Sequence, residues 1–133
     1  MAATITITAS AHSAIISATG EAAPRETCGL LHGSHQHIQT ALVAANIHPD
    51  PTRHFEIDPA ALIAAHKAAR AGGPPVIGYF HSHPNGLARP SATDAFSAAR
   101  DGRVWAIVAN GEVTLWCDGR SGFEPLSYRV VEG

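Results

Sequence analysis

Short apolar runs bounded by turn residues, with one firmly delimited helix among them, restrict how this chain can fold. Asp58-Pro59 is a helix start, an N-cap followed by proline at the first helical position. The alanine-rich segment Pro59 to Ala71 that follows stops at Gly72-Gly73. Directly after it, Val76 to Phe80 reads as a short apolar strand that runs into His81. Val104 to Ala109 and Val113 to Cys117 flank Asn110-Gly111, a pair favoured in two-residue hairpin turns. Thr4 to Thr8 alternates Thr with Ile, the period of a half-buried strand. Ser10 is expected to cap a short helix to about Ala18, and Glu21 to Glu26 to form a loop around Pro24. Cys28 to Leu31 reads as a buried strand, Gly33 to His37 as a hairpin turn and Ile38 to Ala45 as the returning strand. Ile47 to Arg53 is a proline-containing loop, Phe55 to Ile57 a short strand, Ser91 to Arg100 a third helix and Leu126 to Val131 a last strand. The elements alternate without regular βαβ spacing, which predicts an α/β fold with a mixed sheet, three helices and one core.

The chain has 133 residues, the size of one domain, so residues 1–133 are expected to share a single core. It is 45% hydrophobic and 15% charged, with a formal charge of -2 and no basic patch, which disfavours a nucleic-acid partner. The N-terminus lacks a secretory pattern and no stretch approaches a membrane span. Cys28 and Cys117 stand alone, which fits a reducing cytoplasm.

The chemistry concentrates between His81 and Asp94. Residues two apart on a strand face the same way, so His81 and His83, at the end of the Val76 to Phe80 strand, aim their imidazoles at one point. Pro84 holds His83 extended. Asp94 falls in the first turn of the next helix, where the returning loop brings its carboxylate to the same place. Two imidazoles and one carboxylate leave a vacant position on tetrahedral zinc, the arrangement of hydrolytic rather than structural sites. A water there would have its pKa lowered to roughly 7. Magnesium and calcium prefer oxygen shells. Each half of the pattern has a plainer explanation. An HxH pair alone is often incidental, and Ser91 with Asp94 forms an S-x-x-D capping box that needs no metal. Their conjunction within fourteen residues favours the metal.

The string H-x-H, seven residues, S-x-x-D is similar to the signature of the JAMM (MPN-plus, JAB domain) zinc metalloprotease family, matched here without a gap. Pro24-Arg25-Glu26-Thr27-Cys28-Gly29-Leu30-Leu31-His32-Gly33 resembles the family's upstream P-x-E-x-C-G-L-L-x-G stretch. His54-Phe55-Glu56-Ile57-Asp58-Pro59 before a helix looks like the bacterial stand-alone members. The resemblance implies a cytidine-deaminase-like fold, a curved mixed sheet flanked by helices. It implies that His81, His83 and Asp94 hold one Zn²⁺ and that a water takes the fourth position. Glu26 would be the general base and acid, and Ser91 the support for the oxyanion. It implies a ubiquitin-like protein substrate, in some members a sulfur carrier, cleaved after a C-terminal Gly-Gly at a peptide or isopeptide bond. The short stretch from Asp94 to Val104 leaves no room for the long insertion of eukaryotic deubiquitinating relatives, which implies weak linkage selectivity.

Other residues carry less. Glu21 lacks the P-x-E context and is expected on the solvated surface. His32, His35 and His37 are expected in a solvated turn. Cys28 and Cys117 are expected as buried, inert thiols. Asn85, Gly86 and Arg89 lie beside the ligands as loop geometry or substrate contacts. A deaminase is disfavoured because no P-C-x-x-C supplies the remaining ligands. A silent interaction module and a defence- or DNA-repair-associated relative stay open as alternatives.

Overall fold

The computed structural model describes residues 4–34, 36–84 and 86–133. Among them, eight strands form one mixed sheet accompanied by three helices. In chain order these are β1 Ile5–Thr8, α1 Ala9–Ala22, β2 Cys28–Ser34, β3 His37–Ala44, α2 Pro59–Arg70 and β4 Val76–Ser82. There follow α3 Ala92–Ser97, β5 Val104–Ala109, β6 Glu112–Gly119, β7 Gly122–Leu126 and β8 Tyr128–Val131. The strand order is β7-β6-β5-β4-β2-β3-β1-β8. β4 lies in the middle, antiparallel to β2 and parallel to β5. The expected curved α/β architecture is what the chain adopts.

The curl follows from connectivity. β7 and β8 lie at opposite ends of the strand order, yet Ser127 alone separates them in the chain. A sheet whose two margins are joined by one residue must bend until they meet. The Tyr128 hydroxyl on β8 donates to the Val113 carbonyl on β6, 2.7 Å away, across that closure. Helix α1 fills the inner face, where Ala11 and Ile15 pack with Ile7, Leu31, Ile38, Phe80, Ala106 and Val108. The opposite face carries Cys28, Leu30, Val76 and Ile57 with Ala65 and Leu62 of α2. Alternation along β2 and β4, shifted by one residue at the bulge between Val76 and Gly78, divides these two apolar sets, so both faces of the central strands are covered and both read as apolar runs.

Several boundaries differ from those read off the sequence. Helix α1 starts one residue before Ser10, because the Thr8 hydroxyl accepts from the Ala11 N–H at 3.1 Å and caps it. It continues to Ala22 through Gly20, so Glu21 sits on its exposed last turn rather than in a loop. Helix α3 ends at Ser97 instead of Arg100. The Asp118 carboxylate on β6 accepts from the Arg100 N–H at 3.0 Å, and Arg100 takes a φ of 55° that no helix allows. The tail holds two strands instead of one, because its halves pair with different partners, β6 and β1. Phe55 to Ile57 forms only a single bridge, Asn46 with Ile57. His32 is a buried β2 residue rather than part of a solvated turn, and His37 opens β3 with its ring bonded to Thr6 Oγ1 at 2.7 Å. His35 lies outside the described residues. No helix among the described residues is long and apolar enough to cross a membrane.

Gly29 marks the tightest constraint on the central strands. A Cβ there would lie 2.3 Å from the Phe80 ring and 2.2 Å from the Leu42 carbonyl oxygen. Gly29 pairs directly with Phe80, and the ring occupies the space a side chain would take. Gly29→Ala is therefore expected to destabilise the fold by about 1–3 kcal/mol through overpacking, read as a lower urea midpoint with unchanged m-value.

Candidate metal centre

Strand β4 carries His81 to the centre of the sheet, where it is fully buried, and its backbone pairing continues one residue further. The His83 N–H donates to the Val108 carbonyl at 2.8 Å, which keeps the backbone before Pro84 extended. Both imidazoles thus leave the same face, the one covered by α2. The Nε2 atoms of His81 and His83 lie 3.0 Å apart, and each lies 3.1 Å from Asp94 Oδ2.

Asp94 reaches this point from the first turn of α3. Ser91 caps the helix, its hydroxyl oxygen accepting from the Asp94 N–H at 3.0 Å. The Asp94 carboxylate accepts in return from the Ser91 N–H at 3.0 Å, which completes a capping box. The capping explanation and the ligand explanation therefore describe the same geometry. The cap directs the carboxylate and leaves one face of it to the imidazoles. Because Ser91 uses only a lone pair in the cap, its O–H remains free to donate towards the cavity it lines.

The proton inventory of the donor set bears on whether it can hold a metal. His83 Nδ1 donates to the Leu87 carbonyl at 2.7 Å, since a carbonyl can only accept, and the neutral ring then presents an Nε2 lone pair to a carboxylate oxygen. His81 Nδ1 is buried with no hydrogen-bond partner among the described residues. These three potential ligand atoms converge within 3.1 Å, a spacing that one bound cation can bridge. Tetrahedral zinc with bonds of about 2.0–2.1 Å would space its ligands about 3.3 Å apart, so small adjustments suffice. Imidazole nitrogens with one carboxylate suit zinc and disfavour magnesium or calcium. The triad fits a zinc ion.

The three groups also act strongly on one another electrostatically. Burial opposes ionisation of Asp94, but the His81 and His83 rings and the Ser91 N–H hold its carboxyl well below the usual carboxylate range. Burial pushes His81 down despite Asp94. Burial also works against protonated His83, but Asp94 and the Leu87 carbonyl outweigh it and move that group up.

Glu26 comes from the loop between α1 and β2. The Thr27 N–H donates to Ser82 Oγ at 2.8 Å and the Ser82 N–H to the Thr27 carbonyl at 3.1 Å. With Cys28 opposite His81, that clamp extends the β2–β4 ladder and brings Glu26 out on the side of the ligands. Glu26 is 7% exposed and lines a cavity of about 950 Å³ together with His83, Asp94 and Ser91. Burial raises its carboxyl to about 7, helped by the Asp94 charge and opposed by His83. Aromatic rings dry this pocket: Phe55 stacks on His81 with centroids 4.2 Å apart and Trp105 meets it edge-on at 5.6 Å. Phe55 and Trp105 line the cavity itself.

The residue pattern pointed to His81, His83 and Asp94 and the family resemblance added Glu26 and Ser91, and the fold brings all five to one cavity or its wall. The sequence did not single out Ser82, Thr27, Trp105 or the Leu87 carbonyl. Strand alternation at His81-Ser82-His83 was a usable signal for Ser82, whose side chain must leave the opposite face. Cys28 is fully buried, its thiol pushed up to about 12 by burial and by Glu26, so it is inert. Cys117 is only half-buried, and burial moves its thiol up as well. Gly86 and Arg89 border the cavity, whereas Asn85 lies outside the described residues.

Comparison with known proteins places this geometry in context. Residues 8–118 match a family described as prokaryotic homologs of the JAB domain. The desampylase of Haloferax volcanii is 30% identical over 133 residues, which cover 95% of this chain and 96% of that protein. A probable TtuB-protein conjugate cleaving protease of Thermus thermophilus is 38% identical over 72 residues, 54% of this chain and 48% of that one. The match to it thus spans about half of either protein. A Desulfitobacterium hafniense protein solved in solution superposes with a TM-score of 0.85 and 28% identity, covering 97% of this chain and 94% of that one.

The raised Glu26 carboxyl has a stability consequence. Below pH 4.5 the group is neutral in both folded and unfolded chains and costs nothing. Between 4.5 and about 7 the unfolded chain ionises first, and above about 7 the folded state bears the full penalty. In chelator-treated protein, Glu26→Gln should therefore be more stable than wild type by on the order of 2 kcal/mol at pH 8. The gain should vanish towards pH 4.5 in paired urea titrations.

Proposed function

The chain belongs to the family of prokaryotic homologs of the JAB domain, and from that membership we propose that it is a zinc-dependent isopeptidase acting on a ubiquitin-like protein. Its bond of choice follows a C-terminal Gly-Gly, and sulfur-carrier proteins are among the candidate substrates. The observation that carries the reading is the convergence of His81 Nε2, His83 Nε2 and the Asp94 carboxylate within 3.1 Å, in a cavity that Glu26 also lines. The substrate class is supported by two relatives, one a desampylase and the other named for cleaving TtuB-protein conjugates. Residues 1–133 act as one catalytic unit on this reading, since the end of β4, the loop before β2 and the first turn of α3 bring the site residues together beside one sheet. The free cysteines suit a reducing cytoplasm.

Zinc held by His81, His83 and Asp94 supplies Lewis acidity that makes a water acidic enough to act as a nucleophile near neutral pH. Glu26, lining the same cavity, is placed to accept the proton that an attacking water would give up on bonding to the substrate carbonyl carbon. The same carboxyl then returns the proton to the departing amine as the C–N bond breaks, which suits a group poised near neutrality. The Ser91 hydroxyl donates to the developing oxyanion. The Leu87 carbonyl holds the His83 ring in the tautomer that keeps Nε2 a lone-pair donor. Phe55 and Trp105 exclude bulk water, which strengthens each of these contacts.

The test is hydrolysis of a ubiquitin-like domain joined through its terminal Gly-Gly to a lysine-containing fluorescent peptide. Metal analysis should find one zinc per chain, and a chelator should abolish cleavage that added zinc restores. His83→Ala or Asp94→Ala should lose the zinc. An intact conjugate with zinc-replete protein would leave the chain an interaction module. Glu26→Gln should keep zinc and lose about 10²–10⁴-fold in kcat. Ser91→Ala should lose less than Glu26→Gln, at most about 10²–10³-fold, with about 0.5–2 kcal/mol of stability from the broken cap.

A further inference from the structure

Asn46 stands where β3 gives way to the loop that returns at Ile57, and its carboxamide makes all four hydrogen bonds open to it. Nδ2 donates to the Glu26 carbonyl and to the His54 carbonyl, each at 3.0 Å. Oδ1 accepts from the His48 N–H at 3.1 Å and from the Glu56 N–H at 3.0 Å. Every partner is a main-chain group of fixed polarity, so the amide has only one workable orientation. The loop it closes returns a further bond, the Glu26 N–H donating to the Pro51 carbonyl at 2.7 Å. Both main-chain groups of Glu26 are thereby gripped, one by Asn46 itself and one by the loop that Asn46 holds shut. The same loop presents Phe55, whose ring lies on His81 with an interplanar angle of 19°.

We propose that Asn46 is a positioning residue that fixes the Glu26 backbone against the zinc ligands, and this rests on Glu26 being the proton carrier. Asn46 does not line the cavity, so it touches neither substrate nor reacting atoms and acts through its neighbour. Glu26 lies in the loop between α1 and β2, before the first β2 residue, where the strand ladder alone does not hold it. The Thr27–Ser82 clamp sets the register on one side, and Asn46 with Pro51 holds the other. A displacement of about 1 Å in a proton-transferring group costs on the order of 100-fold in rate. The two halves of the carboxamide have separable duties. Its oxygen holds the loop at His48 and Glu56, while its nitrogen bridges the loop's His54 carbonyl and the Glu26 carbonyl.

Asn46→Asp keeps the accepting oxygen on His48 and Glu56 and turns a second oxygen against the Glu26 and His54 carbonyls, so the bridge to Glu26 is lost while half of the loop closure remains. Zinc-replete full-length protein is assayed on the same fluorescent Gly-Gly–lysine conjugate, with zinc content and urea midpoint measured alongside. Asn46→Asp is expected to remain folded and zinc-bound with KM within about threefold of wild type and kcat lower by about 10–100-fold. Asn46→Ala should lose at least as much kcat and also stability. In a Glu26→Gln background, measured by single-turnover cleavage, Asn46→Asp should cost nothing further, because residues acting through one group are not additive. A folded, zinc-replete Asn46→Asp with kcat within threefold of wild type overturns the proposal. So does an undiminished further loss in the Glu26→Gln background, or failure of Asn46→Asp to fold, either of which assigns the amide a purely structural duty. Zinc-replete wild type that leaves the conjugate intact defeats the hydrolase reading itself, and the positioning role falls with it.

Discussion

The register of β2 against β4 is the constraint on which the site depends. Cys28 faces His81 and Thr27 bonds Ser82, so the next residue, Glu26, emerges on the side of the ligands, in the cavity it shares with His83. Strand side chains alternate, so a slip of one residue would send Glu26 to the α1 face and leave the imidazoles without their acid. Two features oppose such a slip. Gly29 can only sit opposite Phe80, whose ring takes the place of a side chain, and Ser82 offers its hydroxyl to Thr27 from the face turned away from the ligands. Packing and polar pairing thus agree on one alignment.

Asp94 shows how one carboxylate serves two demands. It completes the capping box of a helix too short to persist without one, and its remaining face meets two imidazoles. A six-residue helix contributes little stability of its own; the cap holds its first turn and so aims the ligand. Asp118 brackets the other side by drawing the Arg100 N–H out of helical geometry. The segment between β4 and β5 is therefore governed at both ends by carboxylates, one turned towards the cavity and one buried on β6.

Burial then divides the acids by role. Asp94 is buried, yet the two imidazoles and the Ser91 N–H beside it keep it ionised and suited to hold a cation. Glu26 is comparably enclosed, but burial dominates its surroundings and it is poised near neutrality, able to accept and release a proton. Phe55 and Trp105 maintain the low-dielectric surroundings that separate the two behaviours.

Local rules settled much of this in the linear sequence. Asp58-Pro59 placed the start of α2, Asn110-Gly111 set the β5–β6 turn, and the HxH alternation put His81 and His83 on one face, because each depends only on residues a few positions apart. Resemblance to a known family supplied Glu26, which no local pattern marks. What escaped the sequence was decided by partners far along the chain. Thr8 captured the cap expected of Ser10, Asp118 cut α3 short, and the two halves of the tail went to opposite margins of a curled sheet. The Thr27–Ser82 clamp and the four bonds of Asn46 belong to the same class. A hydrogen bond across fifty residues leaves no periodicity to read, so only the folded chain could reveal what holds the carboxyl of Glu26 beside the imidazoles.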